Sequence, residues 1–335
     1  MKIGLIFAAI AGLAVTVYLV LDFGLNDVWD ALLTAGWEGF AAVTIAHLVA
    51  IALCALAWRI LIAAAPPRAY LAFFWARFLR DGVNNLVGIV PCAGEIVGAR
   101  ELRLHGVPSG VAGATTIIDV TTELLSQLIF ALLGLGVLIY VQPGGESAWW
   151  TGAGIAAATI ILVGFVLAQR NGLFRFLESL PSRLGLVQQW DETKDAAPVH
   201  AAIQDIYRLQ SRVLAAIVTH FVAWLARSVE AIAALYLMNQ SLPVLNIIAI
   251  EALVYALRTI AFVAPSAVGV QEAGYVLIGA IFGLGPEAAL ALSILKRARE
   301  VALGLPALVA WQFLETQRLW HGIDMRTDAR KIDNI

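Results

Sequence analysis

Six long apolar segments constrain this chain more than any other feature of its sequence. A transmembrane helix needs about 20 consecutive, mostly apolar residues. The chain is also 61% apolar and only 14% charged over its 335 residues, whereas soluble domains average about 45–50% and about 25%. The sequence therefore predicts an all-α polytopic membrane protein, with spans at residues 3–21, 39–65, 110–141, 149–168, 212–238 and 286–313.

Two further apolar segments, 70–103 and 242–285, are interrupted near the middle by proline and glycine. The interrupting residues are Pro91, Gly94, Pro265 and Gly269. Irregular backbone at membrane depth is tolerated only where protein or a water-filled cavity satisfies its N–H and C=O groups. We therefore expect each segment to form a broken or re-entrant helix pair beside a polar cavity.

The two halves of the membrane region repeat the spacing of their charges. Three pairs of positions coincide without a gap: Glu95 with Glu272, Asp119 with Lys296, and Glu123 with Glu300. This spacing predicts an inverted repeat, the plan of many transporters, in which the substrate site lies near the bilayer midplane. The expected units are a first span with a periplasmic loop (1–38), repeat unit 1 (39–141), a linking span with a cytoplasmic amphipathic segment (142–211), repeat unit 2 (212–313) and a cytoplasmic tail (314–335).

The distribution of Lys and Arg between the loops indicates the orientation in the membrane. Segment 22–38 holds four carboxylates and no basic residue, whereas segment 169–211 is rich in arginine. Because basic loops face the cytoplasm, we expect both termini to be cytoplasmic.

Polar side chains recur at helical spacing within three of the spans. They are Thr115, Thr116, Asp119, Thr122, Glu123 and Gln127; His220, Trp224, Arg227 and Glu230; and Ser293, Lys296, Arg297 and Glu300. A charge at the bilayer centre costs about 2.5–3.5 kcal/mol on insertion scales, so these faces are expected to point into the helix bundle. They either line a wet cavity or form structural ion pairs, with Asp119 and Glu123 partnering Lys296, Arg297 or Arg227.

Several function classes have no support in the sequence. The net charge of −2 argues against a nucleic-acid partner, which would need a basic face. No GxxxxGK[ST] loop is present, nor is a DDxxD or HExxH pattern that would hold a metal. Cys54 and Cys92 lie in different apolar segments, so we expect buried thiols rather than a disulfide or metal site. We predict no cofactor and no metal, and a single Mg²⁺ at Asp119 and Glu123 is the weaker alternative.

Motifs in both halves resemble a known family. The stretches DGVNNLVGIVPCAGEI (81–96), VGARELR (97–103) and IDVTTEL (118–124) are similar to the first half of the lysylphosphatidylglycerol synthase transmembrane-region family, often called flippase-like proteins. The stretches AFVAPSAVGVQEAGYVLIGAIFGLG (261–285) and ALSILKRAREV (291–301) resemble the hopanoid-biosynthesis-associated members of that family. The chain departs from the pattern at one place, because a single glycine precedes Glu95 where relatives often have two.

The resemblance implies a bacterial inner-membrane protein that handles lipids. Members that carry a soluble aminoacyltransferase domain synthesise a lipid and flip it, whereas members without that domain, as here, are regarded as flippases or transporters. The expected substrate is a hopanoid, a polyprenyl lipid or an anionic phospholipid, and lipid-synthesis or export proteins are candidate partners. An intramembrane lipid-modifying transferase and a non-transporting scaffold remain alternatives.

The motif positions and the charged stripes together give the candidate substrate-binding residues. They are Asn84, Asn85, Glu95, Arg100, Asp119, Glu123, Arg227, Arg258, Gln271, Glu272, Lys296, Arg297 and Glu300, with structural breaks at Pro91, Gly94, Pro265 and Gly269. We expect the cations to meet a phosphate, helped by amide donors at a helix start after Gly269. The carboxylates would balance the cations or accept hydrogen bonds from the head group.

Overall fold

The computed structural model describes residues 18, 21, 25–62, 69–86, 92–141, 199, 202–260 and 267–332, with side chains of the last helix up to residue 316. Within these residues all regular secondary structure is helical. The principal helices are α1 (Leu25–Ile60), α2 (Tyr70–Leu86), α3 (Ala93–Leu104), α4 (Ser109–Val141), α5 (Gln210–Leu237), α6 (Val244–Ile260), α7 (Val270–Ile281) and α8 (Pro286–Ile332). A short helix at 202–208 precedes α5.

Three of the described helices, α1, α4 and α5, are long and apolar enough to cross a membrane. Their most apolar 18-residue windows have mean hydropathies of 2.4, 2.3 and 1.4. Helices α4 and α5 coincide with the spans predicted at 110–141 and 212–238. The spans predicted at 3–21 and 149–168 lie almost entirely outside the described residues. The all-helical, polytopic membrane architecture is confirmed.

Helix α1 begins well before the span predicted at 39–65. We expected segment 22–38 to be a loop, and this was wrong, because the chain is helical from Leu25 and is broken only at Gly36 (φ 57°, ψ −160°). The reason is that one face of this segment, at helical spacing, packs on the apolar core. Its residues are Val28, Ala31, Leu32 and Ala35.

Helix α8 starts at Pro286, as predicted, but does not end at 313. It continues through Pro306 to Ile332, so most of the expected tail is helical. Helix α8 is not among the three described helices that are long and apolar enough to cross a membrane. Its apolar sequence is interrupted by four charges within five residues, at Lys296, Arg297, Arg299 and Glu300.

Both interrupted apolar segments contain two separate helices, as predicted. The first forms α2 and α3, and the second forms α6 and α7. Pro91 and Pro265 lie between the paired helices, outside the described residues. Helix α3 follows Cys92, whose φ of 63° is left-handed, and α7 follows Gly269 with φ 80°. Only glycine adopts such a φ without strain, which explains its presence at 269.

Helix contacts in the first half have counterparts in the second. Helix α1 packs along α5; α2 packs on α8 as α6 packs on α4; and α3 packs on α4 as α7 packs on α8. A twofold relation between α1–α4 and α5–α8 produces this pattern. It brings the second helix of each half beside the last helix of the other. The opposite membrane directions of the halves and the unit boundaries 39–141 and 212–313 stay predictions.

Candidate functional site: two buried ionic clusters

A first ionic cluster joins α2 to α4. Helical spacing on α2 places Arg77, Arg80 and Asp81 toward Asp119 and Glu123 of α4. Arg77 donates two hydrogen bonds to the carboxylate of Glu123, at 2.8 and 2.7 Å. Arg80 donates to Asp119 at 2.6 Å and to Glu123 at 3.1 Å. Bidentate arginine–carboxylate pairs are among the strongest polar contacts in proteins, so this cluster holds α2 firmly against α4.

Helix α3 joins the first ionic cluster through its first turn. The side chain of Asn84 accepts a hydrogen bond from the Gly94 amide at 3.1 Å and donates one to Glu95, also at 3.1 Å. Arg80 donates to Glu95 at 3.2 Å. A Cβ at Gly94 would overlap the Asn84 side chain and the carbonyl of Arg80. The glycine therefore permits the close approach that brings Glu95 into the cluster.

Helix α5 contributes a histidine and an arginine to the first ionic cluster from the other half of the molecule. His220 Nε2 lies 3.0 Å from an Asp119 oxygen, and both side chains are fully buried. Arg227 approaches Glu123 at 3.8 Å and stacks on Trp224, with its guanidinium carbon 4.4 Å from the ring centroid. The cluster consequently ties the two halves together.

A second ionic cluster is built around α6 and α8. Lys296 forms an ion pair with Glu251 and donates to the Tyr275 hydroxyl at 2.9 Å. Tyr275 in turn donates to Glu251 at 2.6 Å. Glu230 of α5 lies 3.3 Å from Arg299, 4.0 Å from Lys296 and 2.8 Å from His47 Nδ1. These groups are almost completely buried. This buried ion-pair network, the Lys296 lock, holds together the helices that carry it.

The second ionic cluster also has a partly exposed rim. Glu300 accepts hydrogen bonds from Arg258 at 3.4 and 3.5 Å and from Arg297 at 3.3 Å. Arg297 also donates to Glu272 at 3.1 Å. The side chains of Arg258 and Arg297 are 17% and 20% exposed. These two arginines are the most accessible cations of the cluster.

The start of α7 is satisfied within the protein. The Gly269 amide donates to Glu272 at 2.7 Å, and Ser293 donates to the other oxygen of Glu272 at 3.2 Å. Gln271 donates to the Ser293 hydroxyl at 2.8 Å. We expected this helix start to offer amides to a phosphate, but Glu272 already caps the Gly269 amide from its own first turn.

The aligned positions of the repeat carry reversed charges. Arg77 and Glu251 both lie fourteen residues before the central proline of their segment, and Asp119 aligns with Lys296. In the structure Arg77 lies 3.5 Å from Asp119, and Glu251 pairs with Lys296. Each half therefore forms the same pair with opposite polarity.

Positions near the contact between α1 and α5 follow the same relation. His47 and His220 are 173 residues apart, as are Cys54 and Arg227. Each histidine contacts a buried carboxylate of its cluster, and Cys54 Sγ lies 4.0 Å from an Arg227 nitrogen. Equivalent positions that touch each other lie close to a twofold axis, so this contact marks the meeting point of the halves.

The polar stripes point into the bundle, as predicted, but some partners differ. Asp119 and Glu123 pair mainly with Arg77 and Arg80, not with Lys296 or Arg297 as we expected. The expected contact between Glu123 and Arg227 is present at 3.8 Å. Helices α4 and α8 bind different partners because the arginine side chains of α2 reach Asp119 and Glu123, whereas Lys296 is paired with Glu251 of α6.

Arg100 lies apart from both clusters. It donates two hydrogen bonds to Glu315 on α8, at 2.9 and 2.5 Å, and its side chain is 40% exposed. The remaining candidates, apart from Asn85, belong to the clusters or contact their members. The candidate list left out several participants, of which His220 and Glu230 lay on a predicted polar stripe: His47, Arg77, Arg80, Asp81, His220, Glu230, Glu251, Tyr275 and Arg299. The α2 arginines could have been recognised from the helical spacing of the polar residues between 77 and 84. The proline at 91 hid this pattern, because it broke the apolar segment that contains them.

A small cavity lies between α1, α2 and α8. Its volume is about 10 Å³, which is enough for about one water molecule. Asn85, Asp81, Glu300 and His47 contribute its polar lining. A polar cavity beside the broken helices was expected, and at this position it is far too small for a lipid head group.

One group of side chains has the composition of a metal site. Ligand atoms of Cys54, Glu123 and His220 lie within 4.8 Å of one another. However, an Arg227 nitrogen lies 3.8 Å from Glu123 and 4.0 Å from Cys54, and Arg77 binds Glu123 in bidentate fashion. A guanidinium already serves as the cation at this position, and the residues do not favour a metal.

Comparison with known proteins agrees with this architecture. The family model described as "Lysylphosphatidylglycerol synthase TM region" matches residues 3–307, nearly the whole chain. No curated protein and no solved structure matches. The matched range contains both broken helix pairs and both ionic clusters. The chain therefore belongs to the family of lysylphosphatidylglycerol synthase transmembrane regions, a lipid-related family of membrane proteins.

Proposed function

We propose that the protein moves a lipid with an anionic head group between the leaflets of a bacterial inner membrane. Family membership supports a lipid substrate. The observation that carries the proposal is the rim of the second ionic cluster, where Arg258 and Arg297 share Glu300 across long contacts of 3.3–3.5 Å. A phosphate of the head group can replace Glu300 as their partner.

The contrast between rim and core contacts supports this choice. The core pairs are almost fully buried, as for Arg80 and Asp119, which lie 2.6 Å apart. Removing one partner from such a pair leaves an uncompensated buried charge, which costs about 3–5 kcal/mol. The rim arginines are partly exposed, at 17% for Arg258 and 20% for Arg297, so exchanging their partner costs less. The core therefore holds the bundle while the rim is free to exchange its anion.

The chemistry of the rim also narrows the substrate. Two guanidinium groups suit a phosphate, because arginine binds phosphate with a planar, bidentate set of donors. An uncharged triterpenoid such as a hopanoid would leave these cations without a new partner. An anionic phospholipid or a polyprenyl phosphate fits the rim better than a neutral hopanoid does.

Transport requires a rearrangement of the conformation described here. The cavity beside Glu300 accommodates about one water, whereas a head group is several times larger. Both clusters are closed by ion pairs between helices of the same half and between the halves. Passage of a head group then proceeds by breaking rim contacts and separating α2, α6 or α8 while the dry cores stay intact.

A vesicle assay tests the proposed function. Purified protein is reconstituted into liposomes, and fluorescent analogues of phosphatidylglycerol and of a neutral hopanoid are followed across the leaflets. We expect faster movement of the anionic analogue than in protein-free vesicles and little effect on the neutral one. The lipids are then extracted and analysed by mass spectrometry, where the proposal predicts no chemical change. A converted lipid would identify an enzyme, and no movement of either analogue would favour a scaffold.

The proposed location and topology are tested separately. We propose that both termini face the cytoplasm, because the arginine-rich segment 169–211 is expected on that side. Accessibility of cysteines introduced into 169–211 and into 22–38 should differ in inverted membrane vesicles, with the first segment labelled from the cytoplasmic face. Labelling of the two segments from the same face would contradict this orientation.

A further inference from the structure

The cavity of about 10 Å³ between α1, α2 and α8 forms a narrow polar cleft beside the rim of the second ionic cluster. Asp81 and Asn85 line it from α2, Glu300 from α8 and His47 from α1. Its lining also includes Gly82 and Gly304, where the two helices cross with a Cβ position of one only 3.5–3.6 Å from the Cα of the other. Glu300 also binds Arg258 and Arg297, so this carboxylate stands between the cleft and the two rim cations.

Apolar side chains surround the mouth of this cleft. On α8 the neighbouring Val301, Leu305 and Val309 are exposed, and their four-residue spacing places them along one face of the helix. On α2 the half-buried Phe78 lines the cleft and stacks on Phe74, with an angle of 8° between the ring planes. Apolar surface on a membrane protein faces lipid, so the cleft opens toward the hydrocarbon of the bilayer and not toward water.

The sequence of α8 allows the crossing to open. Gly304 and Pro306 lie within one turn of each other at this level of the helix. Proline lacks the N–H that would bond to the carbonyl four residues earlier, and helices bend at such positions. Gly82 and Gly304 bring the two backbones together, with Leu86 of α2 packed against Gly304. Helix α8 can therefore bend away from α2 at the cleft without disturbing the Lys296 lock one to two turns earlier.

The counterpart seam in the other half, between α4 and α6, is sealed. Gln127 on α4 donates to the Tyr255 carbonyl at 3.1 Å and to the Thr259 hydroxyl at 2.5 Å. Trp224 packs between Phe130 and Tyr255 at centroid distances of 6.0 and 5.0 Å. Gln127, Phe130, Trp224 and Tyr255 are buried, and they fill the space that the cleft occupies on the other side. The two seams are equivalent in topology but not in chemistry.

We propose that the cleft between α2 and α8 is the lateral entrance through which a lipid head group reaches Arg258 and Arg297, while the seam between α4 and α6 stays closed. This inference rests on the proposed function. The acyl chains remain in the bilayer along the apolar mouth. Asp81 and Glu300 are already paired with arginines, so their oxygens accept hydrogen bonds from the passing head group without drawing in an additional cation.

Reversible cross-linking of the two seams tests this entrance. In a Cys92→Ala background, G82C/G304C places cysteines where a Cβ on each glycine would lie 3.5–3.6 Å from the Cα of the other, within reach of a disulfide. Leu86→Ala is added to the oxidised protein and its reduced reference alike, because a Cβ on Gly304 would lie 2.7 Å from the Leu86 side chain. The matched control is G134C/A252C, at the closest approach of the α4–α6 seam, where a Cβ on Gly134 would lie 2.7 Å from that of Ala252. Cross-linking is quantified by mass spectrometry after proteolysis.

If the cleft is the entrance, only the cross-link at the α2–α8 seam should slow transport strongly in the vesicle assay. Oxidation of G82C/G304C should reduce transport of phosphatidylglycerol at least tenfold, and reduction of the disulfide should restore it, which excludes misfolding. Oxidation of the control should change the rate less than twofold. Full transport with the α2–α8 seam cross-linked, or equal inhibition by both cross-links, would overturn the proposal.

A binding readout separates this inference from the proposed function. Phosphatidylglycerol with a diazirine on its head group is photoactivated in vesicles, and the labelled peptides are mapped. We expect labelling of α2 and α8 around the cleft, reduced at least fivefold by the G82C/G304C disulfide. Such labelling without transport would refute only the proposed function. Labelling of the α4–α6 seam, or labelling that ignores the disulfide, would refute the entrance.

Discussion

The ion pair between Lys296 on α8 and Glu251 on α6 has its charges reversed relative to the first half, where Arg77 on α2 faces Asp119 on α4. A chain that merely needed charge balance could place its charges anywhere. Placing them at equivalent positions with opposite sign keeps each half balanced on its own. The pairs therefore act as the internal locks of the two halves.

Breaking the lock of the second half should destabilise the protein strongly. Lys296→Met leaves Glu251 and Glu230 buried without their ammonium partner, and we expect a loss of about 3–5 kcal/mol in the free energy of unfolding. The double variant E251Q/K296M removes one of the stranded charges and should recover part of the loss. Thermal unfolding in detergent, followed by size-exclusion chromatography, measures both. A double variant less stable than K296M would contradict the pairing.

Equivalent changes at a fully buried and a partly exposed carboxylate of the first ionic cluster should separate folding from transport. Asp119 is fully buried and binds Arg80 and His220, whereas Glu95 has a 21% exposed side chain. We expect D119N to reduce folded yield severely, while E95Q folds nearly normally and transports more slowly. Yield after purification and the vesicle assay give the comparison. Loss of folding in E95Q, with normal folding in D119N, would contradict the assignment of Asp119 to the structural core of the cluster and of Glu95 to its partly exposed edge.

The glycine at the start of α3 should be intolerant of any side chain. Gly94→Ala places a Cβ against the Asn84 side chain and the Arg80 carbonyl, so α3 must shift away from α2. The matched control is Gly136→Ala in α4, where a Cβ meets nothing within 4 Å and alanine is favoured over glycine by about 0.5–1 kcal/mol in a helix. Melting temperature should fall for G94A and be unchanged or higher for G136A. Equal melting temperatures would show that the α2–α3 contact is looser than described.

Much of the architecture was readable from residue spacing. The gap-free match of Glu95 with Glu272 located the first turn of α3 and of α7, since both glutamates occupy the third position of their helix. The polar stripe from Thr115 to Gln127 was also buried as predicted. Such patterns can be recognised from the sequence alone, because helical periodicity relates residues that are only three or four positions apart.

The ion-pair partners of these residues could not be predicted in the same way, because they lie on other helices. Asp119 selects Arg80 because this long side chain reaches it from α2, and α2 and α4 both pack on α3. The width of the cavity depends likewise on how tightly Gly82 and Gly304 bring their helices together. The helical segment before Gly36 was missed because its acidic residues outweighed the spaced apolar face that buries Val28 and Ala35.

The most direct test of the account is the rate at which phosphatidylglycerol crosses vesicles containing the R258Q/R297Q variant. Both substitutions remove rim cations and leave the Lys296 and Arg80 locks in place, so the protein should fold. We predict at least a tenfold slower rate than wild type, whereas Arg208→Gln, at a 77% exposed side chain outside both clusters, should stay within twofold. A folded R258Q/R297Q protein that moves the lipid at the wild-type rate would contradict the central claim.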